Sequence, residues 1–386
     1  MAVYVIEILL IMFVPLLFQA RSTLSLKKSE DLKKRCCYCI FLIMLLVMGF
    51  RSETLGMYDV EYVYLPMFHN VQYLNFQEVF MRYPFIRGNM LQLITKIFTL
   101  FCTNEHIWIF ITSIPFLASL TFLVIKYGAN KYTCSFSFYM IIGLRIYGSN
   151  FYLIRHSIAM AALIIAFDCI IEKKRCKFIA FVLVATLFHS VSIVFLIAYP
   201  LARIKVSLKQ LLIIGGGFYF ATYLASDFMN SFFKVIGNDN YYANYSNKGG
   251  FKSNIFILIC LLLFALAYIL SRRNNLNISN NKYLKDQNKK ILLRQKMKNE
   301  LNIITVNMLC IATLFMGMST VISEFQRIAF FFLAVSTVGF SNIIHCEKNR
   351  SIRVFIYVCL FIFLLIFMIN SLKPEMLSPY RTWIFN

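Results

Sequence analysis

The sequence predicts an all-α polytopic integral membrane protein, with about ten to twelve transmembrane helices packed as one bundle. Three observations predict it. Hydrophobic residues make up 60% of the 386 positions and charged residues only 15%, for a mean hydropathy of +0.69. Apolar runs long enough to cross a hydrocarbon core of about 30 Å recur along the whole chain. The remaining charge sits in short basic flanks between those runs, which is the pattern that orients membrane helices.

Taken in order, the runs fall at 3–20, 36–50, 107–125, 133–148, 154–172, 208–226, 253–271, 302–322, 326–345 and 351–371. The first, VYVIEILLIMFVPLLF, lacks a basic n-region and a small-x-small cleavage site, and reads as a retained span. Two stretches admit alternatives. Residues 86–104 are amphipathic and interrupted by Lys96, so they lie in the interface or re-enter. Residues 176–203 form one long span, or two half-length helices that meet near His189. With the N-terminus outside, 86–104 not crossing and 176–203 entering and returning, 27 of the 39 Lys and Arg fall on the cytoplasmic side. Making both stretches cross would put KKRCK outside. The favoured arrangement gives a single membrane domain over 1–386. It carries a large extracytoplasmic loop at 51–88, a second at 227–252, and a basic cytoplasmic linker at 272–298.

The net charge of +22 belongs to this topology and to anionic lipid, because the basic residues never gather into the single patch that nucleic acid requires. Eleven cysteines lie within apolar runs or beside basic flanks, with no paired CxxC motifs and no histidine at ligand spacing. The expectation is no disulfide, no metal and no cofactor. The linker carries no phosphate-binding glycine loop, and the chain shows no internal repeat of the kind that builds many transporters.

The polar residues that interrupt the pattern fall on the outer side of this topology. Arg51 opens the first loop, and Asp59 and Tyr62 follow it. Arg155 starts a span, His189 sits in FVLVATLFHSVSIVF, Arg327 enters from outside, Tyr245 lies in the second loop, and Tyr380 follows the last span. Arginine grips phosphate oxygens bidentately. Tyrosines offer flat faces to sugar rings, and a histidine or aspartate can take a proton from an attacking hydroxyl. A lipid-linked pyrophosphoryl sugar needs all three. Each residue has a plainer role: arginines snorkel, a histidine caps a break, an aspartate starts a turn, and tyrosines form an aromatic belt. His69, His106, His156 and His345 carry no distinguishing context.

The order Arg51, Gly56, Asp59, Tyr62, then Arg155 with Ala159, then Ala185, Phe188, His189 and Ser190, then Arg327 and Pro379-Tyr380, resembles the EpsG-like, Wzy-type polysaccharide polymerases. The resemblance runs over roughly residues 36 to 380. It implies a metal-independent glycosyltransferase of GT-C-like, all-helical build in the bacterial cytoplasmic membrane. Such an enzyme joins undecaprenyl-pyrophosphate-linked oligosaccharide units into O-antigen, capsular or exopolysaccharide at the outer face. Its partners would be those lipid-linked units, membrane lipids, and the flippase and chain-length regulator of the same pathway. Arg155, with Arg51 or Arg327, would hold the pyrophosphate. His189, or failing that Asp59, would accept the proton, and Tyr62, Tyr245 and Tyr380 would line the sugar groove. Two rivals stand beside this reading. A flippase or other transporter would line a midplane cavity with charge. An O-antigen ligase or acyltransferase would use the same lipid, although no HxxxxD signal is present.

Overall fold

The computed structural model describes residues 2–18, 26–55, 59–83, 88–204, 251–279, 289–319, 324–371 and 379–384, and its regular elements are helical. Six helices are long and apolar enough to cross a membrane: Glu105–Tyr127, Ile154–Ile171, Ile255–Arg273, Asn299–Met318, Glu324–His345 and Arg350–Ser371. The chain is therefore a multi-pass, all-α membrane protein. The expected span at 208–226 and nearly all of the expected loop at 227–252 lie outside the described residues.

Several boundaries differ from the hydropathy pattern for physical reasons. The run at 36–50 is the apolar half of a longer helix, α2 (Leu26–Gly49), which continues through the polar turn SEDLKK. The run at 133–148 is divided: α7 (Lys131–Gly143) stops, Arg145 adopts a left-handed conformation at φ 62°, and a single turn follows, α8 (Ile146–Ser149). The expected loop 51–88 contains a π-helical turn (Asp59–Tyr64), α3 (Leu65–Tyr73) and α4 (Phe76–Arg82), the last held by an Asn75–Glu78 capping box. The expected linker 272–298 is helical at both ends, up to Ser279 and from Lys289.

The chain forms two compact units, residues 1–196 with 349–386, and residues 197–348. In the first, α1 (Ala2–Leu17), α2, α6 (Glu105–Tyr127), α7, α9 (Ile154–Ile171), α10 (Arg175–Phe188) and α15 (Arg350–Ser371) share two distinct ends. Lysines tie one of them. Lys33 Nζ donates to Gly128 O at 3.1 Å, and Lys131 Nζ donates to Pro15 O at 2.8 Å and Phe18 O at 2.9 Å. Lys126 Nζ bridges Asp168 on α9 and Glu172 just beyond it, 2.6 Å from each, and Tyr127 Oη donates to the same aspartate. The opposite ends of α2, α6 and α9 meet at Arg51. α15 runs beside α7, where Tyr139 Oη donates to Phe361 O and the Phe136 and Tyr357 rings pack edge to face at 4.7 Å. It turns Phe355, Ile362 and Ile366 outward, as a lipid-facing helix does.

In the second unit, α13 (Lys289–Met318) and α14 (Glu324–His345) approach closely, because Gly339 leaves room for Thr305 where any Cβ would collide with its hydroxyl. α12 (Phe251–Ser279) joins them through Phe256 on Phe330 at 5.7 Å. Asn307 Nδ2 lies 2.7–2.9 Å from the carbonyls of Leu201, Ala202 and Ile204. It thus covers the end of α11 (Ala198–Leu201) where those acceptors would otherwise be bare.

The lysine tie makes a prediction. Lys126→Ala leaves the Asp168 carboxylate, which is only 10% exposed, with Tyr127 alone. The expected cost is about 1–3 kcal/mol, below that of a fully buried pair because the lysine is part-exposed. Hydrogen bonds from Lys126 and Lys174 hold Glu172 down at about 2, below its usual 4.5. Its share of the tie is therefore full above the ordinary carboxylate range and is lost as pH falls toward that value. Thermal melts in detergent should show Glu172→Gln lowering the melting temperature equally at pH 7 and pH 6. A gap that closed between those two values would contradict this.

Candidate active site

Arg51 is placed by the end of α2, where the apolar run gives way, yet it is only 1% exposed. Its Nε donates to Phe151 O at 2.9 Å, and one terminal nitrogen donates to Met48 O and, at 2.8 Å, to Ser113 Oγ. The guanidinium also stands 5.5 Å over the Phe151 ring. The backbone on either side is caught as well: Arg51 bridges Thr382, and Ser52 N donates to Arg381 O at 2.9 Å. Tyr380 closes the same corner, its hydroxyl donating to Val47 O at 2.7 Å. Arg51 and Tyr380 are thus brought together, as a brace. The donors of Arg51 go to the protein's own oxygens and are not presented outward.

The brace rests on α1. The Tyr4 ring packs edge-on against Tyr380 at 5.8 Å and tilts on Phe151 at 6.2 Å, and Tyr147 packs on Phe151 at 4.9 Å. Glu7 lies among them, 1% exposed, and neither carboxyl oxygen has a hydrogen-bond partner among the described residues. The neighbouring Tyr147 hydroxyl donates instead to Met44 O at 2.6 Å.

Four residues after Phe151, α9 delivers Arg155 in its first turn. The Arg155 backbone N–H donates to Tyr64 Oη at 3.4 Å, which connects it to the π-helical turn. The side chain is half-buried, and its guanidinium makes no hydrogen bond or ion pair among the described residues. α10 rises from the lysine end and stops at Phe188. His189 follows in an extended conformation (φ −147°, ψ 106°), and Ser190–Ile197 continue as a 3-10 helix. The two half-length elements expected within 176–203 therefore meet at His189. Gly88 lies against this break. Its φ of +75° suits glycine, and a Cβ there would sit 3.0 Å from Ser190 N and 3.3 Å from His189 Cα. His156, next to Arg155, is 1% exposed and meets the half-buried His189 ring edge to face, with centroids 5.4 Å apart. Ser157 and Ser192 flank the pair with buried hydroxyls that have no hydrogen-bond partner in the described residues.

The other expected residues scatter. Asp59 is half-buried at the start of the π-helical turn and Tyr62 in the same turn is 61% exposed. Tyr245 and Gly56 lie outside the described residues. Arg327 belongs to the second unit, one turn into α14 and paired with Glu324 Oε1 at 3.0 Å. His69 and His106 serve the rim of the first unit, His69 against Glu105 at 2.7 Å and His106 stacked on Trp383 at 4.9 Å. Sequence reasoning missed His156, Tyr64, Gly88 and Glu7. Of these only Glu7, a lone acid inside an apolar run, and Gly88, a glycine opening an amphipathic one, carried a signal. No group of three or more His, Cys, Asp or Glu among the described residues is placed to hold a metal.

A guanidinium without a partner among the described residues, at a helix N-terminus, favours a bound anion, and a half-buried imidazole at the adjoining break can accept a proton. An integral membrane enzyme acting on an anionic substrate is the class that this fold and this corner define. The comparisons make it specific: residues 34–382 match the EpsG family, and the chain belongs to it. Its members are Wzy-type polymerases, and this protein is an enzyme that joins undecaprenyl-pyrophosphate-linked oligosaccharide repeat units in polysaccharide biosynthesis. Neither the curated proteins nor the solved structures yield a match.

Gly88→Ala tests the packing of the break. Forcing a left-handed alanine costs about 1–2 kcal/mol, and its methyl group pushes on the backbone of His189. At matched membrane abundance, the polysaccharide ladder should shorten clearly while the protein stays folded. An unchanged ladder would show that the position of the break does not matter.

Proposed function

We propose that this enzyme polymerises at the outer face of the bacterial cytoplasmic membrane, by direct displacement at the anomeric carbon of the donor unit. The observation that carries this reading is the Arg155 guanidinium, half-buried in the first turn of α9 and without a partner among the described residues, beside the break that holds His189. The hydroxyl of the acceptor unit forms the new glycosidic bond as the carbon–oxygen bond to pyrophosphate breaks. Undecaprenyl pyrophosphate leaves with the bonding electrons, and His189 takes the hydroxyl proton. Arg155 and the positive end of α9 stabilise the charge that grows on the leaving group. We assign the base to His189 in preference to Asp59, because His189 adjoins Arg155 through His156. Tyr62, exposed in the π-helical turn, offers its ring to the sugar, and Arg51, braced by Tyr380, holds the start of α9 in place.

The sidedness rests on the lysines. The end of the first unit where Lys33, Lys126 and Lys131 cluster faces the cytoplasm by the positive-inside rule, so Arg51, Arg155 and His189 face outward. The apolar parts of α1, α2 and α7 add to the six long helices and bring the spans toward ten to twelve, in a GT-C-like bundle. The partners are lipid-linked repeat units, delivered by a flippase and limited in length by a chain-length regulator.

A polysaccharide ladder gel of a deletion strain, its complement and point variants tests this reading. Deletion should collapse the ladder to a single repeat unit. Arg155→Ala should lose roughly ten- to a hundredfold of the activity, the worth of one charge-assisted contact. Arg155→Lys should stay defective, because a point charge does not replace a bidentate fork. His189→Ala should lose at least about a hundredfold. A full ladder in the deletion strain would overturn the proposal and bring the flippase and ligase readings forward.

A further inference from the structure

We infer that His156 is a positioning residue that holds the His189 imidazole in line with the acceptor hydroxyl. The inference rests on the assignment of His189 as base and adds a residue that no sequence motif singles out.

The geometry divides the two rings by role. His156 is 1% exposed, within the first turn of an eighteen-residue helix, so packing fixes its rotamer. His189 is half-buried and stands at the extended residue between two helical elements, where its own backbone confines it far less. The rings meet at 5.4 Å and 84°, an edge-to-face contact in which one ring's edge lies against the other's face. A buried, packed ring in edge-to-face contact with a half-buried one limits the orientations the second can take. A general base also needs a third group to aim it.

When His189 carries the proton of the acceptor, the His156 ring still provides an aromatic partner for the cation. His156 also follows Arg155 directly. One helix start thus fixes both the group that holds the leaving pyrophosphate and the ring that aims the base, so the two reacting oxygens are set by a single rigid element.

The test uses the full-length protein in proteoliposomes, supplied with the single lipid-linked repeat units that a deletion strain accumulates. His156→Ala should lower kcat about tenfold with KM within about twofold, because the base is misaimed while substrate binding is intact. His156→Phe, which keeps an aromatic ring at the contact, should recover most of that loss. The double variant His156→Ala/His189→Ala should be no slower than His189→Ala alone, because a residue that acts through His189 has no object once His189 is gone. Melting temperatures of all four proteins control for folding.

Three results would overturn the proposal: His156→Ala at wild-type kcat, His156→Phe as slow as His156→Ala at equal melting temperature, or multiplicative losses in the double variant. Failure of the base assignment looks different. His189→Ala would then turn over at the wild-type rate, whatever the His156 variants do.

Discussion

The hydrogen bonds of the Arg51 guanidinium are the interaction on which the first unit depends. Met48 O belongs to the last turn of α2, one of the carbonyls that a helix cannot satisfy within itself. Phe151 O belongs to the turn that precedes α9, and Ser113 Oγ is on α6. In water each acceptor would find a solvent partner, but buried in protein it needs an internal one, because an orphaned acceptor is costly. One planar cation meets all three and places a positive charge at the negative end of α2. Because Phe151 lies four residues before Arg155, the same contacts fix where α9 begins. That start sets the position of the anion-binding arginine.

Irregular backbone is the second constraint. A membrane protein tolerates it only where protein or a wet cavity covers the released polar groups. The first unit holds two such stretches, the turns from Leu144 to Leu153 and the break at His189, and they lie against each other through His156. Each is closed by a residue suited to it. Gly88 lets a third segment approach the break, and Tyr64 reaches the backbone of Arg155 from the π-helical turn. The hydroxyls of Ser157 and Ser192 stay buried beside these breaks without partners among the described residues, so polar capacity is left where a sugar hydroxyl could use it.

Much of this was legible in the sequence, and the legible part is the part that hydropathy and charge control. Spans such as 107–125 and 351–371 follow from composition, because a lipid-crossing segment must be apolar along its whole length. The break near His189 was one of the two readings that the run at 176–203 allowed, and the distribution of charge favoured it. Roles that depend on a neighbour distant in sequence were not visible. Arg51 and Arg155 look alike in sequence, since each is a lone arginine at the edge of an apolar run. Only the fold commits one to carbonyls of its own chain and leaves the other without a partner among the described residues. His156 is one of five histidines, and nothing local marks it, because its meaning lies in a ring contact thirty-three positions away. The division of 133–148 at Arg145 was hidden for a related reason: a single left-handed residue interrupts a helix without disturbing its hydropathy.

These features converge on α9. Arg51 fixes its first end through Phe151, and the Lys126–Asp168 pair with the hydroxyl of Tyr127 fixes the other end to α6. A helix held at both ends behaves as a rod, and this rod carries Arg155 and His156 side by side. Glycosyl transfer from a pyrophosphate needs charge stabilisation at the leaving oxygen and proton removal at the entering one. Both must be in place before the bond changes, because donors that reorganise during the reaction forfeit most of their effect. A rod braced by buried polar contacts holds them in place without drawing on the substrate. The cost of burying Arg51 and Asp168 is then intelligible: it supports neither the membrane topology nor the apolar core, both of which hydrophobic residues could supply, but the fixed placement of one helix start.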